Sequence, residues 1–286
     1  MAEIIAIDDP DDPRVAAYRD VRERDLVGRK GLFVAEGEVV LNVLLGPRAR
    51  HRPTSLLIAE KRVDRLGGLL ARVPEGVPVY AAAQPVIDVV TGFNIHRGVL
   101  AIGERMPMPS AEALLAGLGR RALVVVLSGI ANHDNMGGIC RNAAAFGADA
   151  VILDSDCCDP FYRKAIRVSV GAALVLPFAR VVSAEAALDM LAAHGFETLA
   201  LSPAGTVALG EIKRADRVAA IFGAEGPGLA QAVIDRATPV RIAMAGGMDS
   251  LNVATASGIV LHHLASDPDQ IRVAPQGEGN AQPASS

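Results

Sequence analysis

The sequence predicts an α/β fold with a parallel sheet in the C-terminal half of the chain, and three observations support this prediction. Short, fully apolar runs recur at residues 123–127, 151–153, 199–201, 218–222 and 240–244, as expected for parallel strands that are covered on both faces. Helical patterns lie between these runs, which is the alternation of a βαβ sheet. Only 3% of the 286 residues are aromatic, so small aliphatic residues fill the core, which favours α/β layers over a β-sandwich.

The first third of the chain predicts a smaller α/β domain. Residues 13–25 have the pattern of a charged helix, and residues 32–45 have the pattern of a strand that runs into an apolar helix. Buried strands are expected over residues 55–59, 79–81 and 98–102. We therefore expect an N-terminal domain at residues 1–105, a linker with a short helix at 106–121, a larger domain at 122–266 and a disordered tail, rich in Gly, Pro, Gln and Ser, at 267–286.

The charge of the chain limits how it could bind nucleic acid. Its net charge is −4, which disfavours binding through bulk positive charge, so any contact with RNA must come from local basic patches. The alternative for each patch is an ordinary solvated surface. The candidate patches are Arg14, Arg19, Arg22 and Arg24; Arg48, Arg50 and Arg52; and Arg163, Lys164 and Arg167.

Cysteine usage and hydropathy argue against several classes of protein. Three cysteines, two of them adjacent, do not form a disulfide framework, and no spacing indicates a zinc site or another metal site. The acidic N-terminus lacks the apolar segment of a signal peptide, and no apolar run approaches the ~20 residues that cross a membrane. These features predict a cytoplasmic protein with no bound metal and no membrane contact. We expect His51, His96 and His133 to be polar surface residues.

Three clusters of residues could carry chemistry, and the first spans residues 128–147. A polar loop follows the first apolar run, and a helix is expected to start near Asn135. Ile139 and Ala143 share the face that should pack on the sheet, and Arg141 points away from it. The carboxyl end of the strand would then present Asn135 and Arg141 beside the crevice where open α/β sheets bind ligands. An ordinary capped helix with a solvated arginine fits this spacing equally well.

The second cluster is the glycine-rich segment at residues 221–229, with the sequence IFGAEGPGL. Glycines allow the backbone to approach a ligand closely or to adopt a positive φ, and Pro227 suits the first turn of a helix. The segment does not match the phosphate-binding patterns GxGxxG or GxxxxGK[ST], so neither a dinucleotide site nor a P-loop is supported. Taken alone it is no more than a turn.

The third cluster, at residues 242–259, combines a polar loop with a helix of small residues. Ser250 is a suitable N-cap for this helix. Ala254, Ala256 and Gly258 keep the helix slim, so that it can approach another element closely. The simplest interpretation is a tight helix interface.

Together the three clusters resemble the three signature motifs of the SpoU (TrmH) family of RNA methyltransferases, in the family's order. The matching strings are NMGGICRNAAAFG, FGAEGPGL and IAMAGGMDSLNVATASGI. The segment at residues 167–172 resembles the family's R-x-S-x-G-A pattern, and the likeness extends over about residues 10–266. Two positions depart from the pattern, since Ala243 replaces a proline and Asn142 replaces a threonine.

This resemblance implies a C-terminal SPOUT domain whose parallel sheet is threaded as a trefoil knot, with a smaller N-terminal substrate-binding domain. It also implies S-adenosylmethionine as the cofactor, RNA as the substrate and pairing of the chain as a homodimer. The residues that the family's cofactor site maps onto are Gly223, Ile242 and Leu251, with Leu201, Glu225, Met244 and Asn252 nearby.

The reaction that the resemblance implies is methylation of a ribose 2′-hydroxyl, either in rRNA or in tRNA. Arg141 matches the family's catalytic arginine. Because a guanidinium group stays protonated in proteins, we expect it to hold a phosphate and stabilise the developing alkoxide rather than act as a base. Asn135, Ser250 and Asn252 are expected to orient Arg141 and the ribose, while Glu225 positions donors or the cofactor. Contacts with RNA are expected from Arg141, Arg163 and Arg167.

Two other functions remain open at this point. One is a non-catalytic RNA-binding module with a decayed active site, which the presence of Arg141 and its polar neighbours argues against. The other is methylation of a base instead of a ribose. Cys140 invites comparison with enzymes that attack a base through a cysteine, but a ribose hydroxyl needs no covalent enzyme intermediate, so we interpret Cys140 as a packing residue of the helix.

Overall fold

The computed structural model describes residues 3–19, 31–92, 98–246 and 250–265, whose strands form two sheets. The first sheet has five strands, in the order β1-β4-β3-β5-β2. Strand β4 runs parallel to both β1 and β3, whereas β5 runs antiparallel to β3 and β2. The bounds are β1 (Ile4–Ile7), β2 (Leu32–Glu36), β3 (Arg52–Ala59), β4 (Val79–Ala82) and β5 (Val99–Glu104).

Helices connect these strands, and one of them differs from expectation. The charged helix predicted over residues 13–25 is a 3-10 helix at Pro13–Tyr18, which Asp12 caps by accepting the N–H of Arg14. Arg19 is already extended, and residues 20–25, with Arg22 and Arg24, lie outside the described residues. The α-helices of this part are α1 (Glu38–Leu44), α2 (Gly67–Leu70) and α3 (Gln84–Thr91).

The second sheet has seven strands in the order β10-β12-β9-β11-β6-β7-β8, all parallel. This confirms the predicted α/β class with a parallel sheet in the C-terminal half. The last apolar run is displaced: the strand predicted at 240–244 ends at Arg241, and residues 242–246 leave the sheet. The bounds are β6 (Ala122–Leu127), β7 (Ala150–Leu153), β8 (Phe178–Arg180), β9 (Glu197–Leu201), β10 (Val207–Ala208), β11 (Arg217–Phe222) and β12 (Thr238–Arg241).

The central strands of this sheet are covered on both faces, as their apolar sequences predicted. Every residue of β6 and β7 is buried, and each Val, Leu or Ile buried in this way contributes roughly 1.5–3 kcal/mol to the free energy of unfolding. None of the helices in the described ranges is long and apolar enough to cross a membrane. Those of the second half are α4 (Ala111–Ala116), α5 (His133–Ala145), α6 (Arg163–Val168), α7 (Ala184–Ala193), α8 (Gln231–Ile234) and α9 (Val253–Ala265).

The two sheets meet at a junction that is held by ion pairs as well as by packing. Arg163, at the start of α6, donates to the Glu36 carboxylate at the end of β2 with a distance of 2.9 Å. Arg105, just after β5, donates to Asp159 at 2.8 Å. Both partners in each pair are largely shielded from solvent, so these contacts are screened less than surface pairs.

His51 lies inside this junction, so the expectation that it is a surface residue is wrong. It is only 9% exposed, and its ring lies 4.6 Å from that of Phe161 and 5.6 Å from that of Phe33. Its Nδ1 accepts the N–H of Met106 at 3.1 Å. Burial, with Arg105 and Arg50 nearby, lowers the pKa of His51 from 6.5 to about 4.

Protonation of His51 should therefore destabilise the fold in acid. Between pH 6.5 and 4 the His51 imidazole is protonated in the unfolded chain but neutral in the folded protein. The free energy of unfolding is therefore highest at neutral pH and decreases as the pH falls through this range. The shift corresponds to a loss of about 2 kcal/mol between pH 8 and pH 5. Urea denaturation at the two pH values measures it. In His51→Asn the amide oxygen can replace Nδ1 as the acceptor. The same pH dependence in both proteins would contradict the assignment.

The division into domains and the knot stay predictions. The strands of the first sheet lie between Ile4 and Glu104 and those of the second between Ala122 and Arg241, and we propose that residues 1–105 and 122–266 act as separate functional domains joined by residues 106–121. The tail predicted at 267–286 lies outside the described residues. The trefoil knot remains an implication of the family resemblance.

Candidate active site

The carboxyl ends of three neighbouring strands, β9, β11 and β12, enclose a cleft of about 370 Å³. We call it the strand-end cleft. Its walls include all seven residues that the sequence assigned to the cofactor: Leu201, Gly223, Glu225, Ile242, Met244, Leu251 and Asn252. The cleft forms here because parallel strands all end at the same edge of the sheet, and the loops that follow them diverge.

The glycine-rich turn after β11 forms one wall of the strand-end cleft. A side chain at Gly223 would overlap the backbone of Gly228 and come within 2.5 Å of the Leu229 nitrogen. The absence of a side chain therefore lets the chain double back on itself, and Gly226 and Gly228 complete the turn with φ values of 86° and 71°. Pro227 does not start a helix, contrary to expectation, since the next helix begins only at Gln231.

A chain of side-chain hydrogen bonds joins the three motifs at the rim of the cleft. The Nδ2 of Asn252 donates to Oδ1 of Asn135 at 2.9 Å and to Oε1 of Glu225 at 3.1 Å. Asn135 is buried, whereas Glu225 and Asn252 are exposed. The bonds hold the starts of α5 and α9 and the glycine-rich turn in one arrangement, so these three predicted residues do lie together.

Asn252 rather than Ser250 caps helix α9. Its Oδ1 accepts the N–H groups of Ala254 at 2.9 Å and Thr255 at 3.3 Å, which satisfies two of the free donors at the start of the helix. The helix begins at Val253, and Ser250 lies in the preceding loop, where it is exposed on the wall of the cleft. The assignment of Ser250 as the cap was therefore wrong by two positions.

The small residues of α9 pack against α5 of the same chain. A side chain at Gly138 would come within 2.7 Å of the Ala254 Cβ, and one at Gly258 within 3.2 Å of the Asn142 amide. Asn142, one of the two departures from the family pattern, donates to the Ala254 carbonyl at 2.7 Å and to Ser257 Oγ at 3.0 Å. It fastens the two helices that carry the first and third motifs, a role that its sequence position alone did not reveal.

Arg141 lies outside the wall of the strand-end cleft, on the solvent side of α5. It is exposed, and its guanidinium group makes no hydrogen bond or ion pair within the described ranges. It lies six positions after Asn135, which corresponds to about 9 Å along the helix axis. A cation held on a rigid helix with all its donors free is suited to bind an anion that arrives from solution.

The two other predicted RNA contacts have different surroundings. Arg167 is exposed on α6. Arg163 is bound to Glu36 in the junction between the sheets, with its side chain 23% exposed, so its charge is engaged within the chain. Lys164 next to it pairs with Asp134 on α5 at 2.6 Å.

Asp154 shapes the first motif but did not stand out in the sequence. It follows β7, is only 4% exposed, and both carboxylate oxygens accept the N–H of Gly129 at 3.0 Å. It thereby fixes the loop between β6 and α5. The sequence signal that could have identified Asp154 is the position of a carboxylate directly after a buried strand. Ser202 and Pro203, after β9, also line the cleft and were not predicted.

The cysteines lack the environment of a nucleophile. Burial raises the pKa of Cys140, which lies inside α5, and also raises that of Cys157 and Cys158. A thiol with a raised pKa is a poor source of thiolate. Across residues 3–19, 31–92, 98–246 and 250–265, no group of three or more His, Cys, Asp or Glu side chains could hold a metal ion.

Comparisons with known proteins point to one family. The model described as the SpoU rRNA Methylase family matches residues 122–262. The chain is 40% identical over 264 residues to an uncharacterized tRNA/rRNA methyltransferase of Mycobacterium tuberculosis (strain ATCC 25618 / H37Rv), with 89% of each chain covered. It is similar, with a TM-score of 0.75 and 27% identity, to the AdoMet-bound rRNA methyltransferase from Sinorhizobium meliloti, covering 91% of this chain and 97% of that one. The SpoU methyltransferase AviRb from Streptomyces viridochromogenes shares the fold, with a TM-score of 0.74, 23% identity and coverage of 88% and 97%.

Proposed function

Because the chain belongs to the SpoU rRNA methylase family, whose members are RNA methyltransferases that use S-adenosylmethionine, we propose that it methylates a ribose 2′-hydroxyl of structured RNA, either rRNA or tRNA. The observation that carries the proposal is the position of Arg141. It offers an unpaired cation on the same helix as Asn135, whose side chain is bonded into the rim of the strand-end cleft.

The strand-end cleft fits the cofactor. Its volume of about 370 Å³ lies in the range of small-molecule sites. Leu201, Ile242 and Leu251 offer apolar walls for an aromatic base, and Gly223 lets the backbone of the turn approach closely. When bound, S-adenosylmethionine supplies an electrophilic methyl group on a sulfonium centre.

The residues of the chain would then orient the acceptor. A hydroxyl is a weak nucleophile until its proton leaves, so the site must align its oxygen and stabilise the negative charge that develops there. In our proposal Arg141 binds the phosphate next to the target ribose and stabilises that charge. The network of Asn135, Asn252 and Glu225 holds the rim in place, with Ser250 beside it, so that the ribose and the cofactor meet in a fixed geometry.

The environments of the cysteines support methylation of a ribose over methylation of a base through a covalent cysteine intermediate. Such a base reaction needs a thiolate close to the substrate, and burial keeps Cys140 protonated inside α5. All three cysteines are free thiols, which agrees with our proposal that the protein acts in the reducing cytoplasm.

The test is to identify the methylated atom. Purified protein is incubated with separate rRNA and tRNA fractions and with cofactor that carries a labelled methyl group, and the RNA is digested to nucleosides for mass spectrometry. We expect the label on ribose, with resistance to alkaline cleavage at that position, because the blocked 2′-oxygen cannot attack the neighbouring phosphate. Label on a base would overturn the ribose assignment, and cofactor binding without transfer to either RNA would favour a non-catalytic RNA-binding module.

We also propose a homodimer whose interface includes helix α9. Ala254 and Gly258 of α9 pack against α5 of the same chain, whereas Ile259 on the same helix is 40% exposed. Ile259→Asp should therefore convert a dimer into a monomer, as measured by light scattering. Val89→Asp is the control, since Val89 is 66% exposed on α3. A wild-type protein that is monomeric would contradict the proposal.

A further inference from the structure

A second cavity, of about 1130 Å³, lies at the edge of the parallel sheet opposite to the strand-end cleft. We call it the opposite-edge cavity. Its walls include Arg121, Asp149 and Pro177, which directly precede β6, β7 and β8, and the segment 47–51 that leads into β3 of the other sheet. The cavity is therefore built jointly by both sheets, at the amino ends of the parallel strands.

The charge of the opposite-edge cavity contrasts with that of the chain as a whole. Four guanidinium groups belong to its walls, those of Arg48, Arg50, Arg121 and Arg214, against one carboxylate, that of Asp149. The carboxylate already accepts the N–H of Leu123 at 2.8 Å. The chain carries a net charge of −4, so this concentration of positive charge is local and does not follow from the composition.

Arg48 and Arg50 are the members of this group that can receive a ligand directly. Both are exposed, and in the parts of the chain that the structure describes neither guanidinium group has a hydrogen bond or an ion pair. The backbone N–H of Arg50 donates to the Leu174 carbonyl at 3.0 Å, which anchors the segment to the connection between α6 and β8. Two free arginines on an anchored segment are suited to bind phosphate groups.

The size and position of the cavity favour an extended ligand. Sites for small molecules occupy about 300–1,000 Å³, so a cavity of about 1130 Å³ suits an extended ligand better. Strand β6 has six residues, which span about 20 Å at ~3.3 Å each. A group bound here is therefore far from the nucleotide that reacts at the strand-end cleft.

We propose that the opposite-edge cavity binds backbone phosphates of the RNA substrate, about 20 Å from the nucleotide that is methylated. The inference rests on the proposed function only in taking RNA as the substrate. Such a contact explains how an acidic chain holds a polyanion, because only an RNA long enough to reach from the strand-end cleft to the opposite-edge cavity is held fully.

The salt dependence of RNA binding tests this proposal without knowledge of the natural target. The probe is an RNA hairpin of arbitrary sequence, whose dissociation constant is measured at several KCl concentrations for the wild type and for Arg48→Ala/Arg50→Ala. Log affinity falls as log salt rises, and each lost phosphate contact makes this slope less steep by about 0.7–0.9. The slope of the double variant should therefore be less steep than that of the wild type by about 1.5. Arg65→Ala/Arg120→Ala is the matched control, because these side chains are 74% and 93% exposed and lie outside the cavity.

Each outcome decides the matter. A slope for the cavity variant equal to that of the control overturns the proposal. So does a lower melting temperature with an unchanged slope, which would mean that the arginines bind carboxylates of the chain itself. ATP serves as a second probe. If the cavity variant loses ATP binding while its binding of the hairpin is unchanged, the cavity is a site for free nucleotides and the proposal is overturned. Calorimetry should show the same affinity for S-adenosylmethionine in all three proteins. If the slope falls while no methyl group reaches ribose, this inference stands and the ribose assignment fails.

Discussion

Replacing Arg141 with alanine should slow methyl transfer by at least roughly a hundredfold while leaving the fold intact, because one preorganised donor at a developing oxyanion contributes roughly 10²–10³ in rate. Arg141 is exposed and makes no hydrogen bond or ion pair with a described residue. Its removal should therefore change the free energy of unfolding by less than ~0.5 kcal/mol. Single-turnover measurements with saturating RNA and cofactor separate this loss of rate from a loss of binding.

Two control variants distinguish the hydrogen-bonding geometry of the Arg141 guanidinium group from its positive charge. Arg141→Lys keeps the charge but loses the planar fork that binds a phosphate through two hydrogen bonds, so it should restore little activity. Arg65→Ala removes a similarly exposed arginine far from the helix, on the first sheet's side of the chain, and should transfer methyl groups at the wild-type rate. Near-normal turnover in Arg141→Ala would remove this residue from the mechanism and leave Asn135, Ser250 or a phosphate of the RNA to activate the hydroxyl.

Gly223→Ala should weaken cofactor binding, with at least about a tenfold rise in the dissociation constant, which corresponds to about 1.4 kcal/mol. The added methyl group does not fill the cleft but collides with the backbone at Gly228 and Leu229, so the turn must open and the wall of the strand-end cleft moves. A collision with backbone costs about 1–3 kcal/mol of stability, which lowers the melting temperature without unfolding the domain.

Gly210→Ala is the matched control for Gly223, because a side chain at Gly210 meets nothing within 4 Å. It should bind S-adenosylmethionine as tightly as the wild type, as measured by isothermal titration calorimetry well below the melting temperature. Binding of the RNA hairpin by Gly223→Ala reports that the rest of the molecule is folded. If Gly223→Ala binds the cofactor with wild-type affinity, the glycine-rich turn is not part of the cofactor site.

Two arginines of the same basic segment differ in whether the fold leaves them available to RNA. Arg163 and Arg167 belong to the same basic segment of the sequence, yet Arg163 is bound to Glu36, 127 positions earlier, and Arg167 is exposed. Replacing Arg163 would leave a buried carboxylate without its partner. A basic cluster in a sequence therefore predicts a charged segment but does not predict which of its charges remains available for RNA.

The class of fold, the family and seven of the residues that line the cleft could be predicted from the sequence. Strands such as β6 and β7 were predictable because a strand buried on both faces is apolar at every position, and that signal is contained in four to six consecutive residues. Six of the seven predicted cleft residues were predictable because the second and third motifs carry them at fixed spacings, whereas Leu201 lies outside the motifs.

How these residues are used depends on contacts that form only in the folded protein. The tertiary structure assigned the cap of α9 to Asn252 rather than Ser250, enclosed His51 between two aromatic rings, and used the small residues of α9 against α5. It also ended β12 at Arg241, so that Ile242 and Met244 line the cleft instead of the sheet. For His51 and for the small residues of α9 the deciding partner lies far away in sequence: a local pattern records the preference of a segment, whereas burial, hydrogen bonds and collisions depend on what the fold places against it.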